Sequence, residues 1–528
     1  MATDTVDVLV IGGGATGTAA LYDLARRGLR ALLVEMGDLA TGTSGRYHGL
    51  LHSGGRYAVR DPETASESIT ENRVLRRIAP FAVEDTGGFF VSAPQDPPDF
   101  IHNWLVGCAA SGIPTQELTP AQARAEEPTL SADLRAVYRV PDGAIDGFEL
   151  THGFVRAAQE YGADALTYHR VVALLREGDT VTGAELEDVR SGERRTVRAA
   201  CVLNAGGPWA GEIARLAGLD VRVLFDRGAM IAMTTRWVNT VVNRLRPPDD
   251  GDILVPVGTV CILGTTSVHT ERPDDRRVET WEVEKIIAEA AAVVPAMAQA
   301  RALRAWAGVR PLYEPPEAEH HDAEGRAVRR TFSVLDHAAR DGVRGLVTVV
   351  GGKLTTCRLM AEKAVDAVCA QLGVEAACTT ADEPLPTEPP RLHRLSDRWR
   401  KLEAGESQGA LICECEMVTR PQLEEAIRSY GEQPVALDDL RRDLRLGMGP
   451  CQGGFCGYRA AGVLQELRPQ SDAPPARALA DFVEERFRGV RPLLWGQQLR
   501  QFYLDELIYR RTLGLDRLPS AEDGEDGA

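Results

Sequence analysis

The feature that most restricts the fold is a G-x-G-x-x-G turn, Gly12-Gly13-Gly14-Ala15-Thr16-Gly17. Before it runs an apolar segment, Val6 to Ile11, broken only by Asp7; after it, Ala15 to Arg27 has apolar residues at helical spacing. Gly28 sits where that helix should stop, and Ala31 to Val34 is a second apolar run. A near-continuous apolar strand is buried on both faces, as in a parallel sheet. Strand, glycine turn, helix and strand form a βαβ unit, which predicts an α/β chain. In such a unit one glycine permits the tight turn, one lets the backbone touch a pyrophosphate, and one lets helix and strand pack closely. Gly12, Gly14 and Gly17 take these positions, and the helix N-terminus stabilises the anion. Glu35 lies 18 residues past Gly17, at the end of the second strand, where it would accept ribose hydroxyls. Its charge would repel a 2′-phosphate, which disfavours NADP.

The turn alone does not separate NAD from FAD; three further segments do. Thr41-Gly42-Thr43-Ser44 resembles the loop that wraps pyrophosphate and flavin in the glucose-oxidase-like flavoproteins. Val202-Leu203-Asn204-Ala205-Gly206-Gly207-Pro208-Trp209 resembles their second flavin contact, and Gly351-Gly352-Lys353-Leu354-Thr355-Thr356 their third. The resemblance implies flavin contacts from Thr41, Thr43, Ser44, Ala205, Gly206, Gly352, Leu354 and Thr355. In the last segment a helix N-terminus would face the side of the ring where negative charge develops on reduction.

A closer likeness follows. Gly49-Leu50-Leu51-His52-Ser53-Gly54-Gly55-Arg56-Tyr57, Ala305-Trp306-Ala307-Gly308-Val309-Arg310-Pro311-Leu312 and the Gly351-to-Thr356 segment resemble the FAD-dependent glycerol-3-phosphate dehydrogenases over most of the first 380 residues. That resemblance implies a substrate pocket lined by His52, Arg56, Arg310, Arg330 and Lys353. The chemistry agrees: a phosphate dianion needs several cationic donors, and arginine offers a bidentate fork. A base is also required for the C2 hydroxyl, and His52 is the choice because histidine accepts a proton near neutrality. Arginine stays protonated, so Arg310 is assigned to phosphate or to the developing carbonyl oxygen, with Lys353 beside it. Alternatively His52 is a hydrogen-bonded core residue, and Arg330, in Val328-Arg329-Arg330-Thr331, belongs to a solvated face. The chain departs from the family pattern at Cys357, where tyrosine is usual, and at Arg227, where lysine is frequent.

Toward the C-terminus the cysteines change the reading. Cys413-Glu414-Cys415 and Cys451-Gln452-Gly453-Gly454-Phe455-Cys456 form C-x-C and C-x4-C pairs with 35 residues between them. Four thiolates in two pairs suit an iron–sulfur cluster or zinc, although structural zinc usually has wider first pairs. Gly447-Met448-Gly449-Pro450 leaves backbone N–H groups free to face sulfur. The segment resembles the bacterioferritin-associated-ferredoxin-like [2Fe–2S] domain. With it, the whole chain is similar to the large catalytic subunit of the anaerobic, three-subunit dehydrogenase. This implies a quinone as final acceptor, a second soluble subunit, and an iron–sulfur membrane-anchor subunit. The remaining cysteines, including Cys108, Cys201 and Cys261, lie in apolar contexts and read as core.

The organisation expected is an FAD-dependent oxidoreductase domain over 1–380 with FAD-binding and substrate-binding parts interleaved. A proline-rich linker over 381–410, a [2Fe–2S] domain over 411–465, a helical region over 466–515 and an acidic disordered tail over 516–528 follow. The net charge of −17 argues against nucleic acid as main partner and against unaided adhesion to an anionic membrane. Met1 to Val6 carries Asp4 and no basic stretch, so no targeting segment is expected, nor is any run of about 18 uncharged apolar residues present. The expected place is the cytoplasm, at the inner face of the membrane through partners. Rival readings are an amine or other hydroxy-acid dehydrogenase, a glycerol-3-phosphate oxidase, and a non-catalytic electron-transfer subunit.

Overall fold

The computed structural model describes residues 3–313, 331–386, 395–406, 409–431, 433–469, 475–494 and 496–517. The expected βαβ unit is there: β1 (Thr3–Ile11), α1 (Ala15–Arg26) and β2 (Ala31–Val34). Val8, Leu9 and Val10 are fully buried: Val8 and Val10 pack in the core shared with α1, and Leu9 packs with Leu174, Val181 and Leu186 of the β-meander from residue 169 to 204. Strand β3 (Arg194–Asn204) runs parallel to β1 and places Asn204 beside Ile11. On its other edge β3 pairs first with Thr180–Asp188, antiparallel, then with β4 (Leu346–Gly351), parallel. Helix α2 (Cys357–Leu372) follows β4 and packs with α1 over one apolar core. The parallel strands β1, β2, β3 and β4 therefore end side by side, and ligands of open α/β sheets bind at such carboxyl ends.

A second, mixed sheet has nine described strands. Its long strands Val223–Met233 and Ala302–Tyr313 pair antiparallel along their lengths, with Asp226 opposite Arg310. The helix Thr280–Ala291 covers its far face. The interleaving expected from sequence is visible, since the chain crosses between the two sheets several times.

The third core is small and helical. A short hairpin, Leu411–Cys413 with Val418–Thr419, precedes α3 (Arg420–Ser429), α4 (Leu437–Leu444) and α5 (Cys456–Leu467). Helices α6 (Pro475–Val490) and α7 (Gly496–Thr512) pack onto it, α6 through Leu479, Phe482, Val483 and Phe487 and α7 through the half-buried Phe502 and Tyr509. Phe482 is the keystone. A Cβ at Gly453 or Gly447 would stand 2.4 or 2.6 Å from its ring, so the cysteine loops close only over glycine. Truncating a buried phenylalanine of this kind costs about 3–5 kcal/mol. The helical region thus packs largely on its neighbour, while Tyr503 of α7 is exposed and Trp495 lies outside the described residues.

Between the modules, Leu385 N–H donates to Ile78 C=O (2.8 Å), and Leu395–Glu403 is a helix within the stretch read as linker. Residues 387–394 of that stretch and 518–528 of the acidic tail lie outside the described residues. Among the described residues no helix is long and apolar enough to cross a membrane.

Candidate functional site

A cavity of about 790 Å³ opens where β1, β2, β3 and β4 end. Gly12, Gly14, Glu35, Thr41, Thr43, Ser44, Ala205, Gly206, Gly352, Leu354 and Thr355 all line it. Gly17 does not, and its role is packing: a Cβ there would stand 1.9 Å from Gly12 C=O. Gly12 has φ +112 and faces Ala205 C=O so closely that a Cβ would come within 2.5 Å.

The donors fit a dinucleotide. Gly14 precedes α1 with no side-chain cap, and the first turn holds no acid. Ser44 Oγ accepts from Ala15 N–H (2.9 Å), Thr16 of the same turn also lines the cavity, and first-turn amides have no partner within a helix. Glu35 lines the cavity while its carboxylate accepts from Gly13 (2.7 Å) and Gly37 (2.9 Å) N–H. It therefore braces the glycine turn as well as lining the cavity. Burial pushes its carboxyl up, and those two N–H groups oppose the shift. At the opposite wall Gly351 and Gly352 both have positive φ, +88 and +73. They turn the chain from β4 into the N-terminal end of α2, again with no acid in its first turn. Such an end favours negative charge in the cavity.

The substrate-side residues gather at one end. His52, Arg56, Arg310 and Lys353 all line the same cavity, whereas Arg330 lies outside the described residues. His52 is buried, its backbone N–H donates to Thr355 Oγ1 (3.2 Å), and its ring centre is 5.7 Å from that of His48 and 5.6 Å from that of Tyr57. Burial, then His48, Lys353 and Arg56, hold its pKa well below the usual histidine value. His52 is therefore neutral at pH 7, able to accept a proton but a weaker base than an exposed histidine. Lys353 Nζ sits 5.0 Å from the centre of the Tyr57 ring.

Both arginines are anchored. Arg310 reaches Asp226 (2.8 Å), Thr265 Oγ1 (2.5 Å) and Thr266 C=O (3.1 Å). It lies across Gly228, where any Cβ would come within 2.3 Å of its Nη2. Arg56 bonds the buried Asp252 (2.8 Å) and Asp249 C=O (2.9 Å). These carboxylates, and His48, were missed from sequence. His48 lay in view, just before Gly49, but nothing marked it as a wall residue. Burial, then Arg310 and Arg56, lower its pKa to about 3.

The two departures from the family pattern resolve simply. Cys357 is buried at the cavity wall, its thiol pushed up to about 12 by burial, so it packs rather than reacts. Arg227 is buried away from the cavity and pairs with Glu282 (2.8 Å) and Asp275 (3.6 Å).

The four module cysteines come together. Cys413 contacts Cys456, Cys456 contacts Cys451, and Cys451 contacts Cys415. Backbone N–H groups face these sulfurs: Glu416 toward Cys413, Cys451 toward Cys415, and Gly453 and Phe455 toward Cys451. The amides that face Cys413, Cys415 and Cys451 favour negative charge on those sulfurs, as thiolate ligands require. Gly449 closes the site, since a Cβ would stand 2.4 Å from Cys415 Cβ. Among the described residues no three His, Cys, Asp or Glu side chains are arranged round a single ion. A string of four sulfurs with amide donors suits a two-iron cluster better than zinc. Of the other six cysteines, Cys108, Cys201, Cys261, Cys357 and Cys369 are buried and Cys378 is half-buried.

Residues 7–358 match the family of FAD dependent oxidoreductases, and residues 411–466 match the BFD-like [2Fe-2S] binding domain. The chain is 43% identical to the A1 subunit of the anaerobic glycerol-3-phosphate dehydrogenase of Haloferax volcanii, covering 98% of this chain and 92% of that one. It is 42% identical to the A subunit of the anaerobic glycerol-3-phosphate dehydrogenase of Escherichia coli (strain K12), over 97% of each. In fold it resembles the glycerol-3-phosphate dehydrogenase of Bacillus halodurans solved with FAD. There the TM-score is 0.67 at 21% identity, over 93% of this chain and 96% of that one.

Proposed function

Because the chain belongs to the FAD-dependent glycerol-3-phosphate dehydrogenases, as a large subunit of the anaerobic type, we propose that it oxidises sn-glycerol 3-phosphate to dihydroxyacetone phosphate and passes the electrons to partner subunits and a quinone. When bound, FAD supplies the hydride acceptor and the [2Fe–2S] cluster a one-electron acceptor. Everything else is the work of this chain. Arg56, Arg310 and Lys353, with Arg330, hold the phosphate dianion. Asp226 and Asp252 fix the two guanidinium groups, so little side-chain freedom is lost on binding. His52 takes the C2 hydroxyl proton as the hydride leaves that carbon, and Arg310 or Lys353 steadies the developing carbonyl oxygen.

One observation carries this reading: a neutral, buried His52 shares one end of the cavity with three cations, at the carboxyl ends of a dinucleotide sheet. A simple amine gives such cations nothing to bind, and three of them suit a phosphate dianion better than the single charge of a carboxylate. The cluster module favours onward single-electron transfer over direct delivery to oxygen. The same proposal includes the second soluble subunit, a peripheral place at the cytoplasmic face, and an iron–sulfur membrane-anchor subunit. The test is Arg310→Ala. KM for glycerol 3-phosphate should rise at least about tenfold, a loss of roughly 1.4 kcal/mol or more. A smaller rise removes Arg310 from the phosphate site.

A further inference from the structure

Several polar pairs cross the seam between the oxidoreductase fold and the cysteine module, among them Arg442 with Asp38 (2.7 Å) and His152 with Asp443 (3.2 Å), and one buried side chain there touches the surroundings of both sites. Arg445 follows α4 with φ +60 and is 7% exposed. Its Nη1 is 3.2 Å from Asp146 Oδ2 and its Nε is 3.4 Å from Glu416 Oε2. Burial works against its charge, and the two carboxylates more than offset that.

The two carboxylates belong to different sites. Asp146 caps the helix Gly147–Gln159, accepting from Phe148 (3.0 Å) and Glu149 (3.4 Å) N–H. The next residue, Gly147, touches the cavity wall: a Cβ there would stand 2.7 Å from Ser44 C=O, 3.0 Å from the Tyr47 ring and 3.1 Å from Leu354. All three of those residues line the cavity. Glu416 follows Cys415, and its N–H faces the Cys413 sulfur. Its fully buried carboxylate also accepts from Thr259 Oγ1 (3.0 Å) and Arg398 Nη1 (3.0 Å). Thr259 occupies the turn between Ile253–Val257 and Val260–Gly264. One guanidinium therefore ties the wall of the flavin cavity to the loop that holds the cluster sulfurs.

We infer that Arg445 is a positioning residue for electron transfer: it fixes the cluster loop against the flavin wall, and its charge makes the cluster easier to reduce. The inference rests on the reading that electrons leave the flavin through the cluster. A buried ion pair is weak evidence for stability, because hydrophobic side chains pack a seam as well or better. Its best-attested use is to impose one register, and a register is what transfer between two fixed centres requires. The step is balanced one electron at a time. Each electron leaving the reduced flavin turns a ferric iron of the cluster ferrous. The flavin is oxidised again after the second, once a one-electron acceptor has taken the first from the cluster; the one proton that came to it with the hydride goes to solvent, as does the hydroxyl proton held on His52. Cluster potentials follow the local charge and the hydrogen bonds to sulfur, so loss of a nearby cation should make the potential more negative.

The test compares the full-length holoprotein with Arg445→Met and Arg445→Lys, each with its FAD and iron content measured. Mixed anaerobically with glycerol 3-phosphate, all three should bleach the flavin at similar rates. Appearance of the reduced-cluster electron paramagnetic resonance signal should slow about tenfold or more in Arg445→Met, since small misplacements carry penalties of that size. Dithionite titration should give that variant a more negative cluster potential, with Arg445→Lys restoring the potential but only part of the rate. Wild-type kinetics and wild-type potential in a fully loaded Arg445→Met overturn the inference. If Arg445→Met does not retain its cluster, Arg445→Lys decides: it keeps the charge but lacks the fork that spans both carboxylates, so an unslowed cluster signal overturns the positioning role. A wild-type cluster that glycerol 3-phosphate never reduces, although dithionite does, sinks the parent reading instead, and the potentials still test the charge of Arg445.

Discussion

Arg310 and Asp226 face each other across paired strands, guanidinium to carboxylate at 2.8 Å, with the arginine lining the cavity and the aspartate buried behind it. The cation assigned to substrate is thus aimed by a partner that substrate never meets. Asp226→Asn keeps the shape and removes the charge. Steady-state kinetics should show KM for glycerol 3-phosphate raised about tenfold, with a smaller change in kcat, as expected for loss of ground-state binding. An unchanged KM would mean that Thr265 and Thr266 suffice to hold Arg310.

His52 as base predicts a different signature. His52→Gln should slow flavin bleaching in single-turnover mixing by roughly 10²–10⁴-fold, the usual worth of a positioned base. The substrate dissociation constant should move little. A variant with the wild-type bleaching rate would return His52 to a structural role.

The two histidines also make stability depend on pH. His48 and His52 are both held neutral in the fold, with pKa values below the ordinary 6.5. The unfolded chain therefore binds more protons than the folded one once the pH drops below that value. Stability is fully present above about pH 6.5 and is lost as the pH falls toward the folded pKa, at up to about 1.4 kcal/mol per pH unit for each histidine. Denaturant melts of the wild type and His48→Gln between pH 7 and pH 5 should show a shallower decline in the variant. Parallel curves would contradict the assignment.

The cysteine set predicts separable modules. Cys451→Ser should lose iron and the cluster spectrum while retaining FAD and substrate-dependent bleaching, because no cluster sulfur lines the cavity. Metal analysis of the wild type should give two irons per chain and no stoichiometric zinc. Zinc in place of iron would refute the cluster.

Much of this was legible along the chain. Gly12, Gly17 and Glu35 act within one local βαβ unit, where spacing itself encodes geometry, and the cavity forms where they place it. The cysteine spacing likewise reports a local fold. What escaped were the partners supplied by distant chain. Asp226 lies 84 residues from Arg310, and Asp252 lies 196 from Arg56. Buried carboxylates on strands carry no periodic signal that tells a counter-ion from a surface charge. Arg445 was hidden for the same reason, since its role exists only once two modules are packed together. His48 was overlooked because a histidine beside a glycine turn is ordinary until a cavity forms around it.

The most direct test is anaerobic: purify the full-length chain with its cofactors, record its visible spectrum, and add glycerol 3-phosphate. The flavin band near roughly 450 nm should bleach and a reduced-cluster signal should follow, while glycerol without its phosphate should do neither, because Arg56, Arg310 and Lys353 need an anion to bind. A flavin that stays oxidised with glycerol 3-phosphate but bleaches with an amine or another hydroxy acid would contradict the substrate assignment and leave the fold standing.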